Sequence, residues 1–299
     1  MKKGTAIKPS KEDRIFYGVV LVIVTLIFLT VLYPIIYVIS ASFSSPTAVS
    51  TGKVVLWPVE FGLDGYKAVF ENKDVLIGYR NTLFYTVFGT LINVFATLFA
   101  AYPLSRSDFA GRRYFLFFFT FTMLFSGGMI PTYMVMRDLH LLNTIWSVVL
   151  PGAVAVYNLM VARSFIESNI PREMLEAAQV DGCSDFRYFW TFVMPLSKPV
   201  IAVITLFYAV GHWNAYFNAF LYLDDRNLFP LQLFLREILI NNKVDAATVT
   251  DQAFLDAKQG LADLLKYSLI VVSTLPIMCL YPFIQKYFVK GVMIGSVKG

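Results

Sequence analysis

IFYGVVLVIVTLIFLTVLYPIIYVI, residues 15–39, runs for 25 residues without a charge. A helix needs about 20 predominantly apolar residues to cross a ~30 Å hydrocarbon core. The charge-free interval continues to residue 52, where its last part turns polar and reads as a loop. Five further charge-free stretches follow, at residues 81–105, 114–136, 141–162, 199–223 and 267–285. Each holds an apolar run of about 18 residues or more, so the expectation is six transmembrane helices. Ten-residue alternating strands, the mark of a membrane barrel, are not evident.

The composition agrees. Of 299 residues 57% are hydrophobic and only 15% charged, whereas an average soluble domain carries about 25% charged residues. A soluble enzyme and a disordered chain are both excluded. Cys183 and Cys279 form no CxxC pairing, and His140 and His212 are the only histidines. A disulfide framework or a zinc site is not expected.

Orientation follows from basic residues. With the N-terminus inside, the inner segments collect 15 of the 25 Lys and Arg against eight acidic residues, and the outer loops ten against twelve. Both termini are therefore expected in the cytoplasm. Residues 1–14 read as a cytoplasmic segment, 15–285 as the membrane domain and 286–299 as a cytoplasmic tail. The first apolar run is too long for a cleaved signal, and Ser10 with Asp13 suits the cap of a short helix leading into it. The basic start suits anionic lipid rather than nucleic acid.

One inner loop, residues 163–198, is far longer than a helix–helix connection requires. Within it, residues 170–182, IPREMLEAAQVDG, read as a short helix with Pro171 in its first turn and Gly182 just past its end. Ser184 then caps a second helix over residues 186–193, which Pro195 and Pro199 stop before the next span. Ala177 and Ala178 permit close approach by another surface, Glu176 and Asp181 flank them with charge, and Met174, Leu175, Phe186, Phe189 and Trp190 add apolar area. Such an elbow either lies on lipid as an amphipathic hairpin or docks a cytosolic partner.

The pattern Glu176-Ala177-Ala178-x-x-Asp181-Gly182, then twelve residues, then Pro195-Leu196-x-x-Pro199 resembles the EAA loop of ABC importer permease subunits. Residues 101–106 (AYPLSR), 125–133 (FSGGMIPTY) and 211–214 (GHWN) resemble the maltose-type carbohydrate branch, especially subunits serving complex oligosaccharides, as does the tail at 287–291 and 295–299. The resemblance implies a type I importer permease fold and a chain that hydrolyses nothing. It also implies that Glu176, Ala177, Ala178, Asp181 and Gly182 dock a cytosolic ATPase. The implied partners are a second homologous permease, two ATP-binding subunits and an extracytoplasmic solute-binding protein, in a bacterial cytoplasmic membrane. No cofactor or metal is expected on this chain; ATP and Mg would be used by the partner ATPase.

Polar residues inside spans are candidates for a solute path. They are Asn158, His212, Trp213, Asn214 and Asn218, with Asn93 in the second span. The same residue types also glue neighbouring helices or anchor at the interface. Gly127-Gly128 with Pro131 either breaks the third span or ends it. The last outer loop, 224–266, resembles the segment that reaches a docked binding protein in maltose-type importers.

Three alternatives remain at this point. An intramembrane protease needs a nucleophile beside a histidine base, and no G-x-S-x-G is present. An ion-coupled transporter expects charges within spans that here are charge-free. A permease for a polyamine, phosphate or amino acid would share the EAA loop. No Walker A glycine loop is found.

Overall fold

The computed structural model describes residues 10–241 and 260–279, and every regular element among them is helical. Short turns and the helix Asp64–Glu71 aside, in chain order these are α1 (Lys11–Ser42), α2 (Lys73–Ser105), α3 (Arg112–Leu124), α4 (Met129–Asp138), α5 (Val156–Asn169) and α6 (Arg172–Val180). There follow α7 (Asp185–Leu196), α8 (Lys198–Asn214), α9 (Phe217–Tyr222), α10 (Leu231–Asn241) and α11 (Gly260–Cys279).

Three of these, α1, α2 and α11, are long and apolar enough to cross a membrane alone. Two more crossings arise only if each bent pair counts as one: α3 with α4, bent by 118°, and α7 with α8, bent by 81°. The expected third span is therefore broken. Its break falls at residues 125–128, where Phe125 is extended and Gly128 takes φ +88°. The stretch 141–162, expected as the fourth span, is not one helix. A single turn at Trp146–Val149 ends near Pro151 and Gly152 (φ +77°), and α5 begins only at Val156. Proline and positive-φ glycine stop a helix whatever the hydropathy of its neighbours. The last part of the sixth stretch (280–285), both ends of the chain and most of the loop after α10 lie outside the described residues.

At the start, Ser10 and Asp13 form a reciprocal capping box, as their spacing predicts. The helix they open does not stop short of the span; it continues to Ser42, with Pro34 inside. Its apolar window buries nothing against the other described residues.

The described residues divide into two compact units, one formed by residues 10–71 with 238–241 and 260–272 and the other by residues 72–237 with 273–279. In the first, the end of α1 is locked by hydroxyls: Ser40 Oγ donates to Leu56 O at 2.7 Å, and Ser42 Oγ lies 2.8 Å from the Tyr66 hydroxyl. Ala41, Ala48, Val49, Val54 and Leu264 form its core.

The second unit carries the elbow and the candidate path residues. Its core joins α2 (Val94, Leu98, Ala101, Leu104), α5 (Leu159, Ala162, Ile166) and α8 (Val200, Ile204, Tyr208). Ala101 and Ala162 are completely buried; small residues bring membrane helices close. Tyr208 ties the three elements together, since its hydroxyl is 2.7 Å from Thr97 Oγ1 and accepts from the Ala155 N–H at 3.0 Å. Two π turns interrupt the helices, Tyr85–Gly89 in α2 and Phe189–Val193 in α7.

Candidate functional site: a helix–glycine–helix elbow and a polar helix crossing

Pro171 sits one place earlier than expected, as the extended residue before α6 rather than in its first turn. At the other end Gly182 takes φ +73°, and the Cys183 N–H donates to Ala178 O at 2.9 Å, closing the helix end with a left-handed residue. Ser184 caps α7 by accepting from the Arg187 N–H at 3.3 Å. The helix–glycine–helix elbow is thus built from the local signals in its sequence. Helix α7 runs through Pro195 to Leu196, and the chain turns at Ser197.

The two alanines have different roles. Ala178 is buried against the core of its own unit, whereas Ala177 faces out together with Glu176, Asp181 and Gly182. Around that outward face Val180 is 88% and Phe186 67% exposed. Met174 and Leu175, expected to offer outward area, pack instead on the core. Glu176 pairs with Arg172 one turn earlier at 3.0 Å.

Above the elbow, residues 104–112 bind it through charge. Arg106, just past the end of α2, pairs with Asp108 and with Asp185, the first residue of α7, and donates to the Tyr102 hydroxyl at 3.2 Å. The Arg106 hydrogen bond holds the Asp108 carboxyl down at about 2, and the carboxylates raise Arg106 above its ordinary value. Arg172 donates to Ser107 Oγ at 3.0 Å, and Arg163 donates to Leu104 O at 3.1 Å while sharing Glu167 with Arg112. The sequence signal for this junction is an arginine directly after an apolar span.

The candidate path residues separate into kinds. His212 on α8 packs on Gly89 of the α2 π turn, with Nε2 3.5 Å from Asn93 Oδ1. Trp213 is buried, donates from Nε1 to Ser273 O at 2.8 Å and meets Tyr79 edge-on. It serves as helix glue, the bland role open to it from the sequence. Asn214 is exposed but donates to Val210 O of its own helix at 2.9 Å. Asn158 is buried near the start of α5, and Asn218 is half-buried on α9. The structure therefore joins Asn93 with His212, while Trp213 is buried and hydrogen-bonded within its unit.

Residues 75–294 match the model of the family described as binding-protein-dependent transport system inner membrane component. The chain belongs to that family. Among its relatives, Protein LplC of Bacillus subtilis (strain 168) is 43% identical over 267 residues, covering 89% of both chains. The polygalacturonan/rhamnogalacturonan transport system permease protein YtcP of the same organism is 41% identical over 287 residues, 96% of this chain and 98% of that one. A bacterial ABC transporter involved in the import of the acidic polysaccharide alginate has a crystal structure matching with a TM-score of 0.86 at 36% identity. The match covers 95% of this chain and all of the other.

Membership makes the chain a multi-pass membrane permease, as the EAA pattern implied, and sets aside both the intramembrane protease and the ion-coupled transporter. The family match includes the elbow and every candidate path residue, and leaves α1 outside it.

Proposed function

We propose that this permease lines the path by which an ATP-driven importer takes up an oligosaccharide, with the elbow as its seat on a cytosolic ATPase. The observation that carries the coupling role is the outward face itself: Glu176, Ala177, Asp181 and a left-handed Gly182 beside exposed Val180 and Phe186. Contiguous exposed apolar area outside a membrane marks an interaction surface. A compact elbow also passes on rigid-body motion. Binding and hydrolysis of ATP with Mg belong, on this reading, to two partner subunits. A second homologous permease would complete the path, and an extracytoplasmic binding protein would deliver the sugar. The sugar class rests on the relatives, one a polygalacturonan/rhamnogalacturonan permease and another an alginate importer. An acidic plant-cell-wall oligosaccharide is the class proposed here. A non-sugar solute is disfavoured by the same relatives.

The proposed topology has six crossings of a bacterial cytoplasmic membrane and both termini inside, with the broken third and fourth stretches each crossing as bent or interrupted segments. It is checked by cysteine labelling in a background where Cys183 and Cys279 are serine. Asp224→Cys reacts with an impermeant maleimide on intact cells, and Arg187→Cys reacts only after the membrane is opened; the reverse result inverts the topology.

The function is tested by purifying the chain from its native membranes in mild detergent and identifying what accompanies it. An ATP-binding subunit and a second permease are expected, with ATPase activity raised by the binding protein loaded with oligogalacturonide. Repeated recovery of a well-folded chain alone would remove the basis of the proposal.

A further inference from the structure

The elbow must be attached to the membrane helices for any motion of it to matter, and the attachment is concentrated. A cavity of about 490 Å³ lies beside it, lined among others by Tyr102, Arg106, Asp108, Arg172, Glu176 and Gln179. Across this opening the polar links are few. Arg106 reaches Asp185 at the start of α7, and Arg172 at the start of α6 reaches Ser107. Aromatic contacts also join the parts, with Tyr102 5.4 Å from Phe189 between ring centres. To this packed aromatic contact the arginine fork adds a directional one, since a guanidinium holding two carboxylates fixes position and angle.

We propose that Arg106 is a positioning residue for transport: through its pair with Asp185 it makes α2 follow the elbow when the elbow moves. The Arg106 side chain is only 14% exposed, and its guanidinium is held on three sides, by Asp108 within its own loop, by the Tyr102 hydroxyl on the last turn of α2, and by Asp185 across the gap. Of these, the Asp185 bond alone joins the elbow. Asp108 pairs with Arg106 only within their own loop. The far consequence is at the crossing of α2 with α8, because α2 also carries the π turn on which His212 rests. This proposal rests on the coupling role of the elbow given above.

The test uses the co-purified complex with its binding protein, the two native cysteines replaced by serine and a bimane fluorophore on Lys73→Cys at the outer end of α2. ATP, Mg and vanadate are expected to change the emission. In Arg106→Met and in Asp185→Asn the change falls about threefold or more, while ATP hydrolysis stays within about twofold. Asp108→Asn keeps the response, and Arg106→Lys recovers part of it. Should Arg106→Met fail to assemble, Asp185→Asn decides, since it leaves the Arg106–Asp108 pair in place. Full responses in both Arg106→Met and Asp185→Asn would overturn the proposal. So would equal loss in Asp108→Asn, which would reduce Arg106 to a loop-folding residue, or a parent complex that hydrolyses ATP with no emission change. Recovery of no ATPase subunit at all would instead refute the function proposed for the elbow.

Discussion

Gly182→Trp leaves the permease in the membrane at its normal level and abolishes uptake. Nothing lies within 4 Å of a Cβ built at Gly182, and the residue is exposed, so the new side chain leaves the backbone into open space among the described residues. The internal cost is the left-handed φ of +73°, about 1–2 kcal/mol for a residue with a side chain. That is small beside a folding stability of roughly 5–15 kcal/mol. The ATPase subunit, in contrast, would have to accept an indole where the elbow presents bare backbone. A docking loss of about 1.4 kcal/mol already lowers occupancy tenfold, and a buried clash costs more. Gly182→Asn separates the two causes, because asparagine tolerates the left-handed region and adds little bulk. It is expected to retain most of the uptake. The measurements are sugar uptake by cells and the amount of ATPase subunit recovered with each variant. Normal uptake by Gly182→Trp would end the docking role.

What the sequence could and could not disclose divides along physical lines. Local signals were legible. The Ser10–Asp13 box, the Gly182 turn and the Ser184 cap each involve residues within a few positions of one another, and all three are present. Hydropathy identified the membrane stretches but not their continuity. Charge-free length says that a segment can enter lipid, whereas the extended Phe125, Gly128 and the Pro151-Gly152 pair decide whether it stays helical. The direction in which a residue faces was beyond the sequence. Ala177 and Ala178 are neighbours in one motif, yet one faces out and the other joins the core. Trp213 and His212 are adjacent in the chain, and only the fold shows the first bound to Ser273 O and the second resting on α2. Arg106 is the clearest case, since its partner Asp185 lies 79 residues away and no local pattern pairs them.

Gly78→Leu prevents accumulation of folded permease, and no second substitution in a facing side chain repairs it. A Cβ at Gly78 would stand 2.9 Å from Leu231 Cα and 3.1 Å from Leu231 N, with Phe234 Cδ2 at 2.7 Å. The ring of Phe234 can turn aside, but the backbone of Leu231 cannot retreat. Its N–H donates to Thr82 Oγ1 at 2.8 Å, and the preceding loop is pinned to α2 by Asn81, which donates to Asn227 O and Phe229 O, and by the Tyr85 hydroxyl on Leu228 O. Arg226 adds pairs with Asp74 at 2.8 Å and Glu237 at 3.2 Å. Relieving the overlap means breaking several of these bonds and leaving buried carbonyls unpaired, at about 1–3 kcal/mol each. Together with overpacking, that exceeds what a marginally stable chain tolerates. Gly89 provides the contrast. There a Cβ would lie 2.5 Å from His212 Nε2, so the obstacle is a side chain, and Gly89→Ala with His212→Ala is expected to fold where Gly89→Ala alone is weakened. Gly78→Leu with Phe234→Ala is expected to stay as poor as Gly78→Leu. Detergent size-exclusion of each fluorescently tagged variant reads the outcome as the height of the monodisperse peak. Recovery of that peak by Phe234→Ala would show that the Leu231 backbone yields, and that the loop before α10 is not pinned to α2.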